Sequence, residues 1–411
     1  MLTSRPILSI CAIALSAGIA QAEMPRSSGL LEFGPENTLF VAESTTGTIH
    51  AYTLPETGVA PENDTPFNIL DVDALVAAAL GTEGRIIYGD LAVHPVTRLA
   101  YMSLTAMIDG AETSAVVTVS PEGEVQQLDL AALPSTSHTL DDTADAGVTF
   151  WRDIPAPTLT ITDLDFVNGE LFVSGISTGE FASTLRRIAF PFDGSGTETS
   201  IEMFHAAHNQ NETRAPIRAM TVIDLDGAPT VLAAYTCTPL VTVPVDALED
   251  AAHVTGSTIA ELGFGNTPLD VISFSAANMS GEVSQYVLVV NREMDADLIT
   301  MDALASATAL TEPVPYLGAT AGVQTVSLPM SGVVHVADQD QQFLLGMRRD
   351  LDTGAMELVS FRKGAFFRLS DFISEYNFPD YAYVDDRMSQ GVRMFQNMLK
   401  ADEGFPGQIR Q

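Results

Sequence analysis

Residues 31–54 read LEFGPENTLFVAESTTGTIHAYTL, and short apolar runs alternate in them with turn residues. The runs 31–33, 38–43 and 47–52 have the length and the β-branched and aromatic content of strands. The GPEN and TTG segments between them supply the restricted or positive φ values that tight reversals need. Together with a further apolar run at 67–71, this stretch predicts one four-stranded antiparallel meander.

Similar openings recur along the chain, each with a charged or amide residue that starts an apolar strand. They are YGDLAV at Asp90, ITDLDF at Asp163, PIRAMTV at Arg218, PLDVISF at Asp270 and GVQTVSL at Gln324. The last four positions are 55, 52 and 54 residues apart. A repeat of this length is typical of architectures whose units bury their faces only against one another. With the first meander included, we predict six units in one closed all-β ring.

This pattern resembles that of secreted β-propeller proteins with NHL-like or YVTN-like blades, and residues 31–54 resemble their opening blade. The resemblance covers residues 28–362. It implies an all-β, six-bladed β-propeller over residues 23–363, with seven blades as the alternative. It implies no particular chemistry, because propellers carry many unrelated activities.

Three segments lie outside the repeat. Residues 1–22 carry one cation, Arg5, then an apolar run and a small-x-small exit, which is the pattern of a signal peptide cleaved near Ala22. We therefore expect a periplasmic or secreted protein without membrane insertion. Residues 134–160, with Trp151, lengthen one connection and predict a lid or a mobile loop. Residues 364–411 form a partly helical extension, in which an amphipathic helix is predicted from the spacing of Val384, Met388, Val392, Phe395 and Leu399.

The composition is strongly acidic, since 53 Asp plus Glu against 19 Lys plus Arg give a formal net charge of −34. Such a surface repels phosphate backbones, so we expect no nucleic-acid partner. Cys237 is the one cysteine left after signal removal, and no internal disulfide is expected. The sequence has no Cys-x-x-Cys-His motif for covalent haem and no His-Glu-x-x-His motif.

The innermost strands of a propeller line an axial channel, so the openings of the units should meet at one mouth. The loops that follow the second strands, which carry Cys237, Arg292 and Asp338, should reach the same face. The candidate ligand-binding residues of this mouth are Asp90, Asp163, Arg218, Asp270, Arg292, Gln324 and Asp338. Two interpretations of the aspartates stay open: a cation or ligand site, or hydrogen bonds to backbone amides of the neighbouring blade.

A metal centre is a second prediction for this face. A His-x-x-His pair precedes Arg218, and Cys237 follows a second strand. Imidazole and thiolate suit Zn²⁺ or Cu, whereas carboxylates suit Ca²⁺. The candidate metal ligands are Asp90, Asp163, Asp270, His205, His208 and Cys237. The alternatives are histidines with ordinary loop roles and a small buried cysteine.

The leading functional hypothesis is an exported soluble propeller that binds a small molecule, a metal ion or a protein at the loop-rich mouth of its channel. The alternative is a periplasmic enzyme. In a lactonase-like site the three aspartates would hold a divalent ion that activates water. In a site similar to that of quinoprotein sugar dehydrogenases, Arg218 or Arg292 would bind cofactor carboxylates, and His205 or His208 would act as a base. Neither a substrate nor an oligomeric state follows from the sequence.

Overall fold

The structure of the chain is a computed structural model, and it describes residues 29–55, 60–62, 64–150, 153–277, 281–369, 378, 380–382 and 385–403. Strands are the predominant secondary structure of these residues. The predicted signal peptide, Trp151 and Val384 lie outside the described residues. No helix in the described part of the chain is both long and apolar enough to cross a membrane.

Within the described residues the strands form four four-stranded sheets, one ten-stranded sheet and a small hairpin. Sheet 1 contains β1 (Leu30–Phe33), β2 (Thr38–Glu43), β3 (Thr48–Thr53) and β9 (Ser135–Thr139). Sheet 2 contains β5 (Ile87–Val93), β6 (Ala100–Ile108), β7 (Ala111–Val119) and β8 (Val125–Gln127). Sheet 4 contains β21 (Pro268–Ala277), β22 (Val283–Asn291), β23 (Ala296–Thr300) and β25 (Val326–Leu328). Sheet 5 contains β26 (Val333–Asp338), β27 (Phe343–Arg349), β28 (Met356–Arg362) and β4 (Asn68–Ile69).

Sheet 3, the ten-stranded sheet, consists of two antiparallel meanders. The first contains β12 (Asp163–Val167), β13 (Glu170–Ile176), β14 (Ser183–Ala189) and β15 (Gly196–His205), and the second contains β17 (Ile217–Leu225), β18 (Ala228–Tyr235), β19 (Pro239–Pro244) and β20 (His253–Glu261). Their outer strands β15 and β20 pair in parallel. Two short strands, β16 (Gln210–Glu212) and β24 (Ala321–Gly322), extend the sheet, and β10 (Thr149–Phe150) pairs with β11 (Ile154–Pro155) separately.

The innermost strands contact one another in a closed cycle, in the order β1, β12, β17, β21, β26, β5 and back to β1. Each of them begins an antiparallel meander that runs outward. The result is a propeller-like ring around a central channel, which confirms the all-β prediction. Apolar side chains fill the spaces between adjacent sheets. Between sheets 2 and 5, for example, Met102 and Leu104 pack with Leu345 and Leu358 in one buried cluster.

Two predicted connections are wrong. The run 67–71 does not complete the first meander, because Asn68 and Ile69 pair with β28 at the edge of sheet 5. The fourth strand of sheet 1 is instead β9, from the segment predicted as a lid. As a result β5 lies between β26 and β1, so ring order differs from chain order. The physical reason is that a sheet edge offers backbone hydrogen bonds to any short strand of suitable register, wherever it lies in the chain.

The prediction that Gln324 opens an innermost strand is also wrong. Gln324 is exposed and lies just before β25, the outer strand of sheet 4. The innermost strand of sheet 5 is β26, which follows a turn at Gly332 with φ of 80°. A Cβ at Gly332 would lie 2.5 Å from the Arg349 carbonyl oxygen, so the turn requires glycine. The segments after Gln324 and after Gly332 both have the apolar pattern of a strand. This pattern does not show which of the two strands lies nearer to the axis of the channel.

Predictions that depend on a few neighbouring residues agree with the structure. Asn168 and Gly169 have φ values of 53° and 88°, as the predicted Asn-Gly hairpin turn requires. Helix α1 (Val72–Leu80) and the short helix α2 (Met301–Ala305) lie outside the strand pattern. The predicted C-terminal helix is confirmed as α3 (Asp386–Asp402), in which Leu399 is buried.

Candidate functional site

Bulges at the start of the innermost strands direct side chains toward the channel. The strand register shifts at the start of β5, β17, β21 and β26. Arg218 itself occupies the unpaired position of the bulge in β17, and Asp90, Asp270 and His335 each follow such a position. A bulge turns a side chain away from the regular alternation of the sheet. Several chemically active residues therefore meet at one level of the ring.

Three aspartates tie neighbouring innermost strands together. One oxygen of each accepts the N–H of the next residue, at 2.8 Å for Asp90, 2.9 Å for Asp163 and 2.8 Å for Asp270. The other oxygen accepts an N–H of the adjacent innermost strand: Leu31 at 2.7 Å, Met220 at 2.6 Å and Val336 at 2.9 Å, respectively. Of the two sequence interpretations, this geometry matches the hydrogen bonds to the neighbouring blade.

These aspartates also separate two cavities of the channel, since all three line both of them. We call the first of these the inner cavity. Its volume is about 270 Å³, and Glu32, Asp165 and the end of β26 also line it. Burial raises the pKa of Asp165 to about 6, and burial together with the nearby aspartates raises that of Glu32 well above its ordinary value. Glu32 and Asp165 are not among the predicted site residues, although the two-residue alternation of β12 places Asp165 on the same face as Asp163.

The mouth cavity, of about 180 Å³, lies on the other side of the aspartates and includes Arg218 and His335. His335 was also missed, because the last unit was assigned to open at Gln324. Its Nδ1 lies 3.3 Å from Asp90 Oδ1 and 4.0 Å from Asp270 Oδ2. Burial lowers the pKa of His335, but the hydrogen bond with Asp90 and the charges of both aspartates outweigh burial and raise it.

The remaining candidates of the mouth fall in different places. Burial and the charge of Arg292 lower the pKa of Arg218, so Arg292 acts electrostatically on the mouth cavity. Asp338 ends β26 and lines the inner cavity, where its Oδ1 lies 2.6 Å from Lys363 Nζ. The expectation that it follows a second strand on the mouth face is therefore wrong, for the same reason as for Gln324.

The predicted histidine and cysteine ligands meet in a separate pocket. His205 is the last residue of β15, His208 lies in the turn before β16, and Cys237 follows β18. One ligand atom from each lies within 4.8 Å of the other two. We call this the His/Cys pocket, and its cavity of about 120 Å³ shares no lining residue with the mouth cavity. Within the described residues no other group of three metal-binding side chains meets this distance limit, the three channel aspartates included.

Two glutamates surround the His/Cys pocket. Glu212 Oε1 lies 3.0 Å from His205 Nδ1 and 2.7 Å from His208 Nδ1. Burial raises the pKa of Glu212, but hydrogen bonds from the two histidines outweigh it and lower that pKa to about 2. Burial lowers the pKa of His205, whereas hydrogen bonds with Cys237 and Glu212, together with the charge of Glu261, raise it to about 9. The pocket thus brings a thiol, two imidazoles and two carboxylates close together.

The backbone at Cys237 is unusual. Its φ is 80°, in a region that residues with a side chain seldom adopt. Cys237 is exposed, while the neighbouring Thr238 is buried and donates its hydroxyl hydrogen bond to Glu261. A backbone of this kind costs free energy, and such strain clusters at functional sites. The turn directs the thiol to the histidines.

Comparisons with known proteins identify no family. No family model matches the chain, and no curated protein matches it. Similar solved structures include the Myceliophteria thermophila Cps50 (Swd1) β-propeller domain, at 10% identity and a TM-score of 0.30, with 83% of this chain and 98% of that one covered. Another is Drosophila Plexin A in complex with Semaphorin 1b, at 8% identity and a TM-score of 0.35, with 86% and 88% covered. A third is Kuenenia stuttgartiensis hydrazine synthase, at 11% identity and a TM-score of 0.31, with 85% and 99% covered. Similarities this weak carry no information on activity.

Proposed function

We propose that this chain is an exported six-bladed propeller that binds a Zn²⁺ or copper ion through His205, His208 and Cys237. The observation that carries the proposal is the convergence of two imidazoles and one thiol within 4.8 Å. Imidazole and thiolate together favour these ions over Ca²⁺ or Mg²⁺, which take oxygen ligands.

The distances are compatible with a tetrahedral site. With bonds of about 2.0 Å to nitrogen and about 2.3 Å to sulfur, the ligand atoms of such a site lie roughly 3.3 to 3.6 Å apart. Ligand atoms within 4.8 Å of one another reach that separation through side-chain movements of about 1 Å. Glu212 already contacts one nitrogen of each histidine, as carboxylates that orient ligating imidazoles do.

Two broader parts of the proposal have separate support. A count of six blades is supported if the two meanders of sheet 3 are counted separately. The closed cycle contains six innermost strands, and each of them then belongs to a meander of four strands. Export is supported by the signal-like residues 1–22 and by the single cysteine of the remaining chain. A ligated Cys237 would also be protected from oxidation.

The lactonase-like alternative has less support. Both oxygens of Asp90, Asp163 and Asp270 accept backbone N–H groups, so a divalent metal ion, which needs several oxygens as direct ligands, would compete with the hydrogen bonds that hold the ring together.

A calorimetric titration tests the metal site. The purified chain, stripped with EDTA, is titrated with Zn²⁺ and with Cu²⁺, and elemental analysis gives the stoichiometry. We expect one ion per chain, and at least a tenfold loss of affinity in Cys237→Ser and in His208→Ala. The matched control is His253→Ala, because His253 has a similar exposure, 33% against 35%, and also contacts a glutamate. Equal affinities in all four proteins would contradict the proposal.

A further inference from the structure

Arg218 is a half-buried cation of the mouth cavity. Among the described residues, no hydrogen bond or ion pair engages its guanidinium, although it lines the mouth cavity beside three carboxylates. Two other partly buried arginines have carboxylate partners: Arg187 contacts Glu170 at 2.6 Å, and Arg348 contacts Glu357 at 2.7 Å. A guanidinium carries five N–H donors in a fixed planar fork, and in Arg218 they face the cavity and not a protein acceptor among the described residues.

The neighbouring aspartates do not take up these donors. Each already accepts two backbone N–H groups that hold adjacent strands in place. The surroundings of Arg218 also hold further positive charge, from Arg292 and from the imidazole of His335. The mouth cavity thus combines a free planar cation with oxygen acceptors that have spare lone pairs.

We propose that the mouth cavity binds a small carboxylate that also bears a hydroxyl or ammonium group. The carboxylate lies on the Arg218 guanidinium, whose fork geometry matches two carboxylate oxygens. The hydroxyl or ammonium group donates to the channel aspartates. The site is distinct from the His/Cys pocket, with which it shares no lining residue, so it does not depend on the proposed metal.

The size and charge of the cavity restrict the ligand. The cavity volume of about 180 Å³ lies below the roughly 300–1,000 Å³ of pockets that hold drug-sized ligands, so a small ligand suits it better than a nucleotide or a disaccharide. A phosphate dianion would bring two negative charges beside three carboxylates, whereas a carboxylate brings one charge and matches one guanidinium. The ligand is therefore a small monoanion with a donor group, as in hydroxy acids and amino acids.

Calorimetry with defined probes tests this proposal. Acetate, glycolate, glycine and inorganic phosphate are titrated into the full chain in the presence of EDTA, which keeps the His/Cys pocket free of metal. We expect glycolate or glycine to bind more tightly than acetate, and phosphate to bind least. The stronger of the two shows whether the second group is a hydroxyl or an ammonium. No binding of any probe at millimolar concentration would overturn the proposal, and so would tightest binding of phosphate.

Variants of Arg218 test whether this residue binds the carboxylate. Arg218→Gln should weaken the tightest probe by about 30- to 100-fold, and Arg218→Lys should weaken it less, since the charge stays but the fork is lost. The control is Arg85→Gln, because Arg85 is exposed and lines a different cleft. If Arg218→Gln does not fold, phenylglyoxal modification of the unaltered protein replaces it. The ligand should then protect Arg218 and not Arg85, and equal modification with and without ligand would refute the assignment.

Discussion

We expect Asp270→Asn to reduce the pH dependence of folding stability. Burial raises the pKa of Asp270 to about 6 from an ordinary 3.8. The folded state therefore binds more protons than the unfolded state between about pH 4 and pH 6, and the free energy of unfolding falls as pH rises through this window. The contribution is complete below pH 4 and lost above pH 6. At 1.36 kcal/mol per unit, the full effect is about 3 kcal/mol.

The accessible part of this effect is smaller, because the sequence pI of about 4.2 limits solubility in acid. A group with a folded pKa of about 6 contributes about 1.4 kcal/mol at pH 5 relative to pH 8. Urea unfolding at four values between pH 5 and pH 8 measures it. The difference in unfolding free energy between wild type and Asp270→Asn should change by about that amount across the series.

The control for this series is Asp193→Asn. Asp193 is fully exposed, and hydrogen bonds from Ser195 lower its pKa, so it titrates below the measured range. Its curve should run parallel to that of wild type. If the Asp270→Asn curve also runs parallel to wild type from pH 5 to pH 8, the buried carboxyl does not take up a proton on folding and the reasoning fails.

Two further predictions concern the stability of the ring. Asp163→Ala removes the acceptor of the Met220 and Leu164 N–H groups and should lower the free energy of unfolding by about 2 to 4 kcal/mol. The loss should be smaller in Asp163→Asn, because the asparagine side chain keeps one acceptor. Equal stability of the Asp163→Ala variant and the wild type in urea unfolding would contradict this prediction. Gly175→Ala should cost about 2 kcal/mol or more, because its Cβ would lie 2.0 Å from the Thr160 carbonyl oxygen. The control is Gly391→Ala in α3, which has open space around it and should be neutral or stabilising in thermal unfolding. Equal effects of Gly175→Ala and Gly391→Ala would argue against the close contact of Gly175 with Thr160.

The local features of the fold could be predicted because their causes lie within a few residues. The Asn168-Gly169 turn needs two positive φ values, and the pair tolerates them. The apolar spacing around Leu399 predicts α3 in the same way. The candidate residues His205, His208 and Cys237 were found from their chemistry alone, and the structure brings them within 4.8 Å.

Features that depend on contacts between distant segments were missed or misassigned. The pairing of Ile69 with β28 and the place of β9 in sheet 1 depend on which sheet edges are free once the ring closes. His335 was missed because the turn at Gly332, and not the similar segment at Gln324, begins the innermost strand of sheet 5.

The amino-acid order alone therefore established the strand-rich meanders, their turns, the C-terminal helix and the acidic character of the chain, since each depends on neighbouring residues or on composition. Only the tertiary structure separated the predicted site into two. In the part of the chain that the structure describes, the aspartates accept backbone hydrogen bonds, Arg218 has no protein partner and Cys237 lies beside the histidines. The reason is physical: the groups that compete for a side chain's hydrogen bonds come from strands more than 50 residues away, as Met220 does for Asp163.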